Sequence, residues 1–264
     1  LASADETTTE DANFLFPRDF VIIDEAHTIE NVAAKAFGLH ISESNLKFDL
    51  GRLHNPKTRK GFFQLVGDKD GIREVLSTID LVNSFFRSVE AACKFNALGR
   101  EFRVREPELV ENTLALPLER LAKRADKAGD AAHKEHTKLE LHDLAKRLRA
   151  VGAGLKMYLD QEQEDHVHWV ERTGPEKNII SLHTAPVDVS PRLRQIFFAS
   201  RKACVFTSAT LGVGDDEELS YFRNRVGAEN ANAACIESPF DFKKQMKLYL
   251  LKKMPQPSEP GYLE

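Results

Sequence analysis

The stretch that decides the fold is Phe20-Val21-Ile22-Ile23-Asp24-Glu25-Ala26-His27. It opens with a short apolar run rich in β-branched side chains, which is typical of a parallel strand buried on both faces. Two carboxylates, Asp24 and Glu25, follow that run directly. Because open α/β sheets bind their ligands beyond the carboxyl ends of the strands, the stretch predicts an α/β fold with both carboxylates in its binding site.

A second apolar run, Cys204-Val205-Phe206-Thr207, ends in the small residues Ser208-Ala209-Thr210. Hydroxyls at this position can hydrogen-bond a neighbouring carboxylate or histidine without filling the site, although the same residues alone would also suit a capped turn. Parallel strands need crossover connections. The simplest arrangement therefore pairs the two runs in one sheet, with their acidic and hydroxyl ends side by side.

The middle of the chain is predicted to be mainly helical. Apolar residues recur at three- and four-residue steps from Asp70 to Cys93, and similar patterns cover 114–128 and 133–159. Three such helices with short connections can pack as a bundle. The remaining expected elements are helices at 29–36, from Ser190 and at 217–226, and strands at 102–105, 168–171, 179–183 and 247–251.

Composition excludes several classes of protein. Of the 264 residues, 42% are hydrophobic and 30% are charged, so the chain can form a core and is not disordered as a whole. No apolar run approaches the roughly 18 residues that span a bilayer, so no membrane partner is expected. The three cysteines, Cys93, Cys204 and Cys235, lie too far apart in sequence for a zinc or iron–sulfur motif and are expected to be reduced thiols.

The paired carboxylates suit nucleotide hydrolysis. We assign Asp24 to Mg²⁺, which keeps much of its hydration shell and is usually held through waters. We assign Glu25 to the water that attacks the terminal phosphate, which it can orient and deprotonate. A lone Asp-Glu would more simply be a solvated helix start, but its place after a buried-strand signature favours the chemical interpretation.

Basic residues are concentrated locally, although the net charge is −4 and gives no overall attraction to nucleic acid. Between Leu118 and Lys156 there are ten Lys or Arg and six Asp or Glu. Such a face is often only solvated. The functional alternative is a positive wall along which a DNA backbone passes. The candidate DNA-binding residues are Lys123, Arg124, Lys127 and Arg147.

The motifs together resemble those of the DinG/XPD family of DNA helicases, which are superfamily 2 enzymes with two RecA-like motor domains. The resemblance rests on Asp24-Glu25-Ala26-His27, Thr207-Ser208-Ala209-Thr210-Leu211 and Glu237-Ser238-Pro239-Phe240, with a helical insert between the first two. Three further segments resemble the bacterial DinG-type branch: Trp169-Val170-Glu171, Ala185-Pro186-Val187-Asp188 and Met254-Pro255-Gln256-Pro257.

For the fold, the resemblance implies a partial RecA-like parallel sheet with an inserted, mainly helical arch subdomain. It divides the chain into four parts. Residues 1–40 and 166–250 form the two parts of the first motor domain, the second with the Ser-Pro-Phe segment. Residues 41–165 form the arch, and residues 251–264 lead toward a second motor domain.

For function, the resemblance makes Asp24 and Glu25 the Walker B pair of a DEAH box. It makes His27 the residue that links nucleotide state to the motor. Ser208-Ala209-Thr210 becomes the motif that couples hydrolysis to strand separation. The implied activity is ATP- and Mg²⁺-dependent movement, 5′ to 3′, on single-stranded or forked DNA, by a repair helicase of the bacterial cytoplasm.

One departure from the family pattern is the lack of any Gly-x-x-x-x-Gly-Lys-Ser/Thr in the sequence. Without that phosphate cradle the chain alone is expected to hydrolyse ATP negligibly. The chain, which begins with Leu1, is therefore interpreted as an internal piece of a helicase. Any iron–sulfur cysteines of the family would lie upstream of Asp24. The alternatives are an arch-like module that binds DNA or protein beside a non-catalytic ATPase remnant, and a different P-loop hydrolase.

Overall fold

The structure, a computed structural model, describes residues 20–95, 99–174, 179–198, 203–212, 216–236, 239–250, 256 and 262. Across these residues it has six strands, nine α-helices and a 3₁₀ turn at Ala26–Thr28. The strands are β1 (Val21–Ile23), β2 (His40–Ser42), β3 (Glu101–Val104), β4 (His166–Thr173), β5 (Ile179–Pro186) and β6 (Cys204–Phe206). The helices are α1 (Ile29–Phe37), α2 (Glu43–Leu53), α3 (Phe62–Leu65), α4 (Lys69–Ala92), α5 (Ala115–Asp130), α6 (Glu135–Asp160), α7 (Ser190–Phe198), α8 (Ser220–Val226) and α9 (Phe242–Gln245).

The predicted parallel pair is confirmed. β1 and β6 run parallel, and Ile22 lies opposite Val205 in the register. Both of these side chains are exposed, by 60% and 46%, so the expectation of burial on both faces is wrong for the described residues. The reason is that among the described residues this sheet has two strands, and one face of it, with Phe206, packs against α1, α7 and α8.

The other four strands form a separate antiparallel sheet in the order β2-β5-β4-β3. The strands predicted near 168–171 and 179–183 are therefore present, but they do not join the parallel pair. Thr173 of β4 pairs with Ile179 of β5 across a short connection. Such a connection permits only antiparallel pairing, because parallel neighbours need a crossover of about a dozen residues or more.

The helical middle is confirmed, and its apolar stripes pack into one core against the antiparallel sheet. On α4 the buried side chains are Val75, Val82, Phe85, Phe86 and Val89. On α5 and α6 they include Leu118, Leu121, Leu141, Leu144 and Leu148. β2, which was not predicted, follows α1 and is the outermost described strand on one side of this sheet. Gly38 makes that turn possible, because a Cβ there would lie 2.0 Å from the Thr184 carbonyl oxygen.

The strand predicted at 247–251 is wrong for the part that is described. Residues 246–250 have no regular structure, and Leu248 and Tyr249 are 74% and 80% exposed. An apolar run forms a strand only where a neighbouring strand accepts its hydrogen bonds. The expected loop at residues 1–13, Glu237-Ser238 and most of 251–264 lie outside the described residues.

Three rings stack across one face of the antiparallel sheet. His40 and His183 have ring centroids 4.6 Å apart and planes 9° apart, and His183 and Trp169 are 5.0 Å and 10° apart. Burial, followed by the charge of His40, lowers the pKa of His183 to about 4. Near neutral pH this imidazole is therefore uncharged within the stack.

We expect His183 to make the fold sensitive to acid. Its unfolded pKa is 6.5, so as the pH falls below that value the unfolded chain takes up the proton first. The stability present above pH 6.5 is therefore lost progressively toward pH 4. At about pH 5 the loss amounts to at most about 2 kcal/mol. Urea unfolding near pH 7 and pH 5 measures it, and His183→Phe should lose less stability between the two; an equal loss would contradict the assignment.

Candidate active site

The ends of β1 and β6 meet as the sequence predicted. The Thr207 hydroxyl donates to Asp24 Oδ1 at 2.6 Å, across 183 positions of sequence. Backbone bonds extend the strand pairing on both sides of this contact, from Thr207 N–H to the Ile23 carbonyl and from Ala26 N–H to the Thr207 carbonyl, each 2.9 Å long. The position of the Asp24 carboxylate is thus fixed by the sheet itself.

Asp24 is ionised at neutral pH. The hydrogen bond from the Thr207 hydroxyl, followed by one from the Glu25 backbone N–H, lowers the pKa of its carboxyl. An exposed, ionised carboxylate is a hard oxygen donor of the kind Mg²⁺ uses through its water shell. Asp24 therefore fits the metal role proposed for it. Among the described residues, no group of three or more His, Cys, Asp or Glu side chains is placed to hold a metal directly.

Glu25 has a left-handed backbone, with φ 51° and ψ 39°. This conformation costs a non-glycine residue roughly 1–2 kcal/mol, and such strain is concentrated at functional sites. It begins the 3₁₀ turn immediately after β1, and Glu25 Oε2 lies 3.3 Å from the Ser208 hydroxyl. The strained backbone thus holds two successive carboxylates against two successive hydroxyl residues.

His27 completes a small network. Its Nδ1 lies 2.9 Å from Ser208 Oγ and 3.2 Å from Glu25 Oε2. Because Ser208 has one hydroxyl hydrogen and donates it to Glu25, we assign the His27 Nδ1–H as donor to Ser208 Oγ. The same oxygen accepts from the Thr210 N–H at 3.3 Å. Ser208 therefore connects the carboxylate, the imidazole and the next turn of chain.

A second, smaller core supports the site. Ala33 of α1, Leu193 of α7 and Val226 of α8 are buried in it, and Phe206 of β6 packs against them. Ala26, between the carboxylates and His27, is fully buried. Arg225 donates to Glu30 Oε1 and so ties α8 to α1. These contacts support the ends of β1 and β6 from the side of the smaller core.

The structure places the remaining predicted coupling residues at the edge of the site. Ala209 and Thr210 are exposed and lie in the turn after Ser208. The residue that the sequence interpretation left without a role is Thr207, which contacts Asp24 directly. Its position as the hydroxyl residue immediately after an apolar strand was the available signal.

The candidate DNA-binding residues differ in their surroundings. Lys123 and Lys127 line a groove of about 1030 Å³ beside α5, with Arg120 and Lys134. Arg124 also lines it, but its guanidinium donates to Asp68 at 2.9 Å and to Glu74 at 3.0 Å.

Arg147 lies outside the residues lining that groove, between Asp49 and Asp143 at 3.0 and 3.1 Å. The charges of Arg124 and Arg147 are therefore balanced within the fold. Lys123 also lies 3.4 Å from Glu119, but its side chain is 71% exposed, so Lys123 and Lys127 remain the candidates in the groove.

Comparison with known proteins confirms the resemblance to DinG/XPD-like helicases. The chain is 28% identical over 247 residues to the ATP-dependent DNA helicase YoaA of Escherichia coli (strain K12), which covers 92% of this chain and 36% of that protein. It is 24% identical to the probable ATP-dependent helicase YpvA of Bacillus subtilis (strain 168), covering 90% of this chain and 35% of that protein. A shorter match, 27% identical over 41% of this chain and 12% of the other protein, is to the 3'-5' exonuclease DinG of Bacillus subtilis (strain 168).

The chain thus spans about a third of the length of the two helicases that it matches over most of its own length. No protein-family model matches it. None of the helices in the described ranges is both long enough and apolar enough to cross a membrane.

Proposed function

We propose that the chain is a catalytic and coupling segment of an ATP-dependent DNA helicase of the DinG type. The enzyme would move 5′ to 3′ on single-stranded or forked DNA, as a repair helicase of the bacterial cytoplasm. The observation that carries the proposal is the contact of Asp24 and Glu25 with Thr207 and Ser208 across 183 positions of sequence. The bacterial relatives named as helicases support it.

In this proposal the chain's residues divide the work on ATP. Glu25 Oε2 accepts from Ser208 and lies 3.2 Å from His27 Nδ1, so Oε1 is the oxygen assigned to orient the attacking water and accept its proton. Asp24 would hold Mg²⁺ through water, and the metal when bound neutralises charge on the phosphates. His27 and Ser208 would couple a change at Glu25 to the turn at Thr210, because Ser208 contacts all three residues.

The sequence also supports a second candidate function. It has no Gly-x-x-x-x-Gly-Lys-Ser/Thr, so the chain alone has no phosphate cradle and is expected to be inactive. An arch-like module that binds DNA or protein, joined to a non-catalytic remnant, would have the same feature. Such a remnant would have no chemical need for both carboxylates, Asp24 and Glu25.

ATP hydrolysis by the full-length gene product, with and without single-stranded DNA, separates these candidates. The helicase proposal predicts hydrolysis that DNA stimulates, and unwinding of partial duplexes with a 5′ overhang. Hydrolysis at the same rate with and without DNA would contradict the helicase proposal. A complete lack of hydrolysis, with DNA binding retained, would favour the binding module.

We expect Lys123→Ala combined with Lys127→Ala to weaken binding of single-stranded DNA by the 264-residue chain. Each lost phosphate contact should reduce the slope of log affinity against log salt by about 0.7. A titration at several salt concentrations measures this slope. The control is Arg73→Ala with Lys156→Ala, which removes two cations that do not line the groove and are paired with Asp70 and Asp160. Equal slopes for the two double variants would show that DNA does not bind in this groove.

A further inference from the structure

The stacked rings lie in one row of the antiparallel sheet. His40 is the register partner of His183, and His183 is the register partner of Trp169. Directly opposed residues in antiparallel strands have side chains on the same face. The opposite face carries Ile41, Leu182 and Val170, which belong to the core. The rings therefore stand on the face that points away from that core.

One end of the stack is exposed. Among the described strands β2 lies at the edge of the sheet, with β5 as its neighbour. His40 is exposed, and His183 occupies one side of its ring in near-parallel contact. The other side of the His40 ring is the last surface of a stack that a further planar group could extend.

The other end of the row is positively charged. Arg103 on β3 is the register partner of Trp169 and is exposed, so the row runs from an imidazole face to a guanidinium. In the next row of the same face Glu171 and Glu101 are paired, and His183 Nε2 lies 3.2 Å from Glu171 Oε2. A ligand for this row should therefore offer a flat ring to His40, and an anionic group of the ligand should lie by Arg103 on the side away from Glu171 and Glu101.

We propose that this row is a base-stacking site for single-stranded DNA, in which a nucleobase stacks on His40 and a backbone phosphate lies near Arg103. The inference rests on the proposed action on single-stranded DNA and adds a binding surface to it. Stacking on aromatic and imidazole faces is tolerant of sequence, because every base has a π-face. A site of this kind suits an enzyme that must hold each base in turn.

Trp169 provides a readout, because it lies in the row between His40 and Arg103, where a bound strand would pass, and it is the one tryptophan in the sequence. We expect binding of a single-stranded oligonucleotide to quench its fluorescence in the 264-residue chain. His40→Ala should weaken binding by about tenfold, and His40→Tyr, which restores a ring, should recover most of the loss. The matched control is His136→Ala, which removes a histidine on α6 whose side chain is 83% exposed.

A second arm uses an oligonucleotide of equal length whose sugars lack bases. The site predicts that this abasic strand binds wild type about as weakly as His40→Ala binds the normal strand, without the quench. DNA binding that is unchanged by His40→Ala and by base removal would overturn the stacking site and leave the helicase proposal in place. If wild type binds neither oligonucleotide, both the stacking site and this chain's proposed contact with DNA are wrong.

Discussion

Replacing Glu25 with glutamine is expected to reduce ATP turnover at least a hundredfold in the full-length gene product, with ATP binding retained. A positioned general base contributes roughly 10²–10⁴ in rate. The amide keeps the shape of the side chain and its contact with Ser208, but it cannot accept a proton from water. The left-handed backbone is also unchanged by this substitution, so the geometry of the turn should survive.

The control for this experiment is Glu111→Gln, which makes the same chemical change at an exposed glutamate in the loop before α5. Steady-state hydrolysis and equilibrium binding of a fluorescent ATP analogue should be measured on both variants. Turnover retained by Glu25→Gln would remove Glu25 from its assigned role. Loss of nucleotide binding as well would show that it holds the nucleotide instead of activating water.

The second large effect is expected at Ser208. Ser208→Ala removes the hydroxyl that bonds both Glu25 and His27, and it leaves the Asp24–Thr207 contact in place. We expect DNA-stimulated ATP hydrolysis to stay within a few-fold of wild type, while unwinding of a 5′-tailed duplex falls by about tenfold or more. The two rates, measured on the same preparation, give the coupling ratio directly.

Thr210→Ala serves as the comparison for Ser208→Ala, because it removes a hydroxyl from the same turn but keeps the backbone N–H that donates to Ser208. It should affect unwinding less. If Ser208→Ala lowers hydrolysis and unwinding in equal proportion, Ser208 supports ATP hydrolysis and does not couple it to unwinding.

Much of the site was predictable because the deciding signals are local. One apolar strand is followed by Asp24-Glu25 and another by Ser208. A single physical rule brings these residues together, because parallel strands end at the same edge of a sheet. The helices were predictable for the same reason, since each carries a continuous stripe such as Val75, Val82 and Val89 on α4.

The features that the sequence did not predict depend on contacts between distant residues or on backbone conformation. Arg124 donates hydrogen bonds to Asp68 and Glu74, which lie 56 and 50 positions away in sequence. No local sequence pattern distinguishes Arg124 from Lys123. Glu25 has a left-handed backbone although glutamate is not a residue type that favours it, so no local pattern indicated it. β2 has three residues, too few to show a strand alternation.

The juxtaposition of the two distant segments is the central claim, and a disulfide between β1 and β6 tests it in solution. Register partners on neighbouring strands lie about 4.8 Å apart, which is within the range that a disulfide spans. Ile22→Cys and Val205→Cys should be combined in a chain carrying Cys204→Ala and Cys235→Ser, and oxidised mildly. Pairing Ile22→Cys with Leu139→Cys on α6 gives the control. We predict a nearly complete 22–205 bond in the folded chain, identified by peptide mass and absent after unfolding in urea. If the 22–205 pair forms no more bond than the control pair, β1 and β6 are not neighbours and the proposed site does not exist.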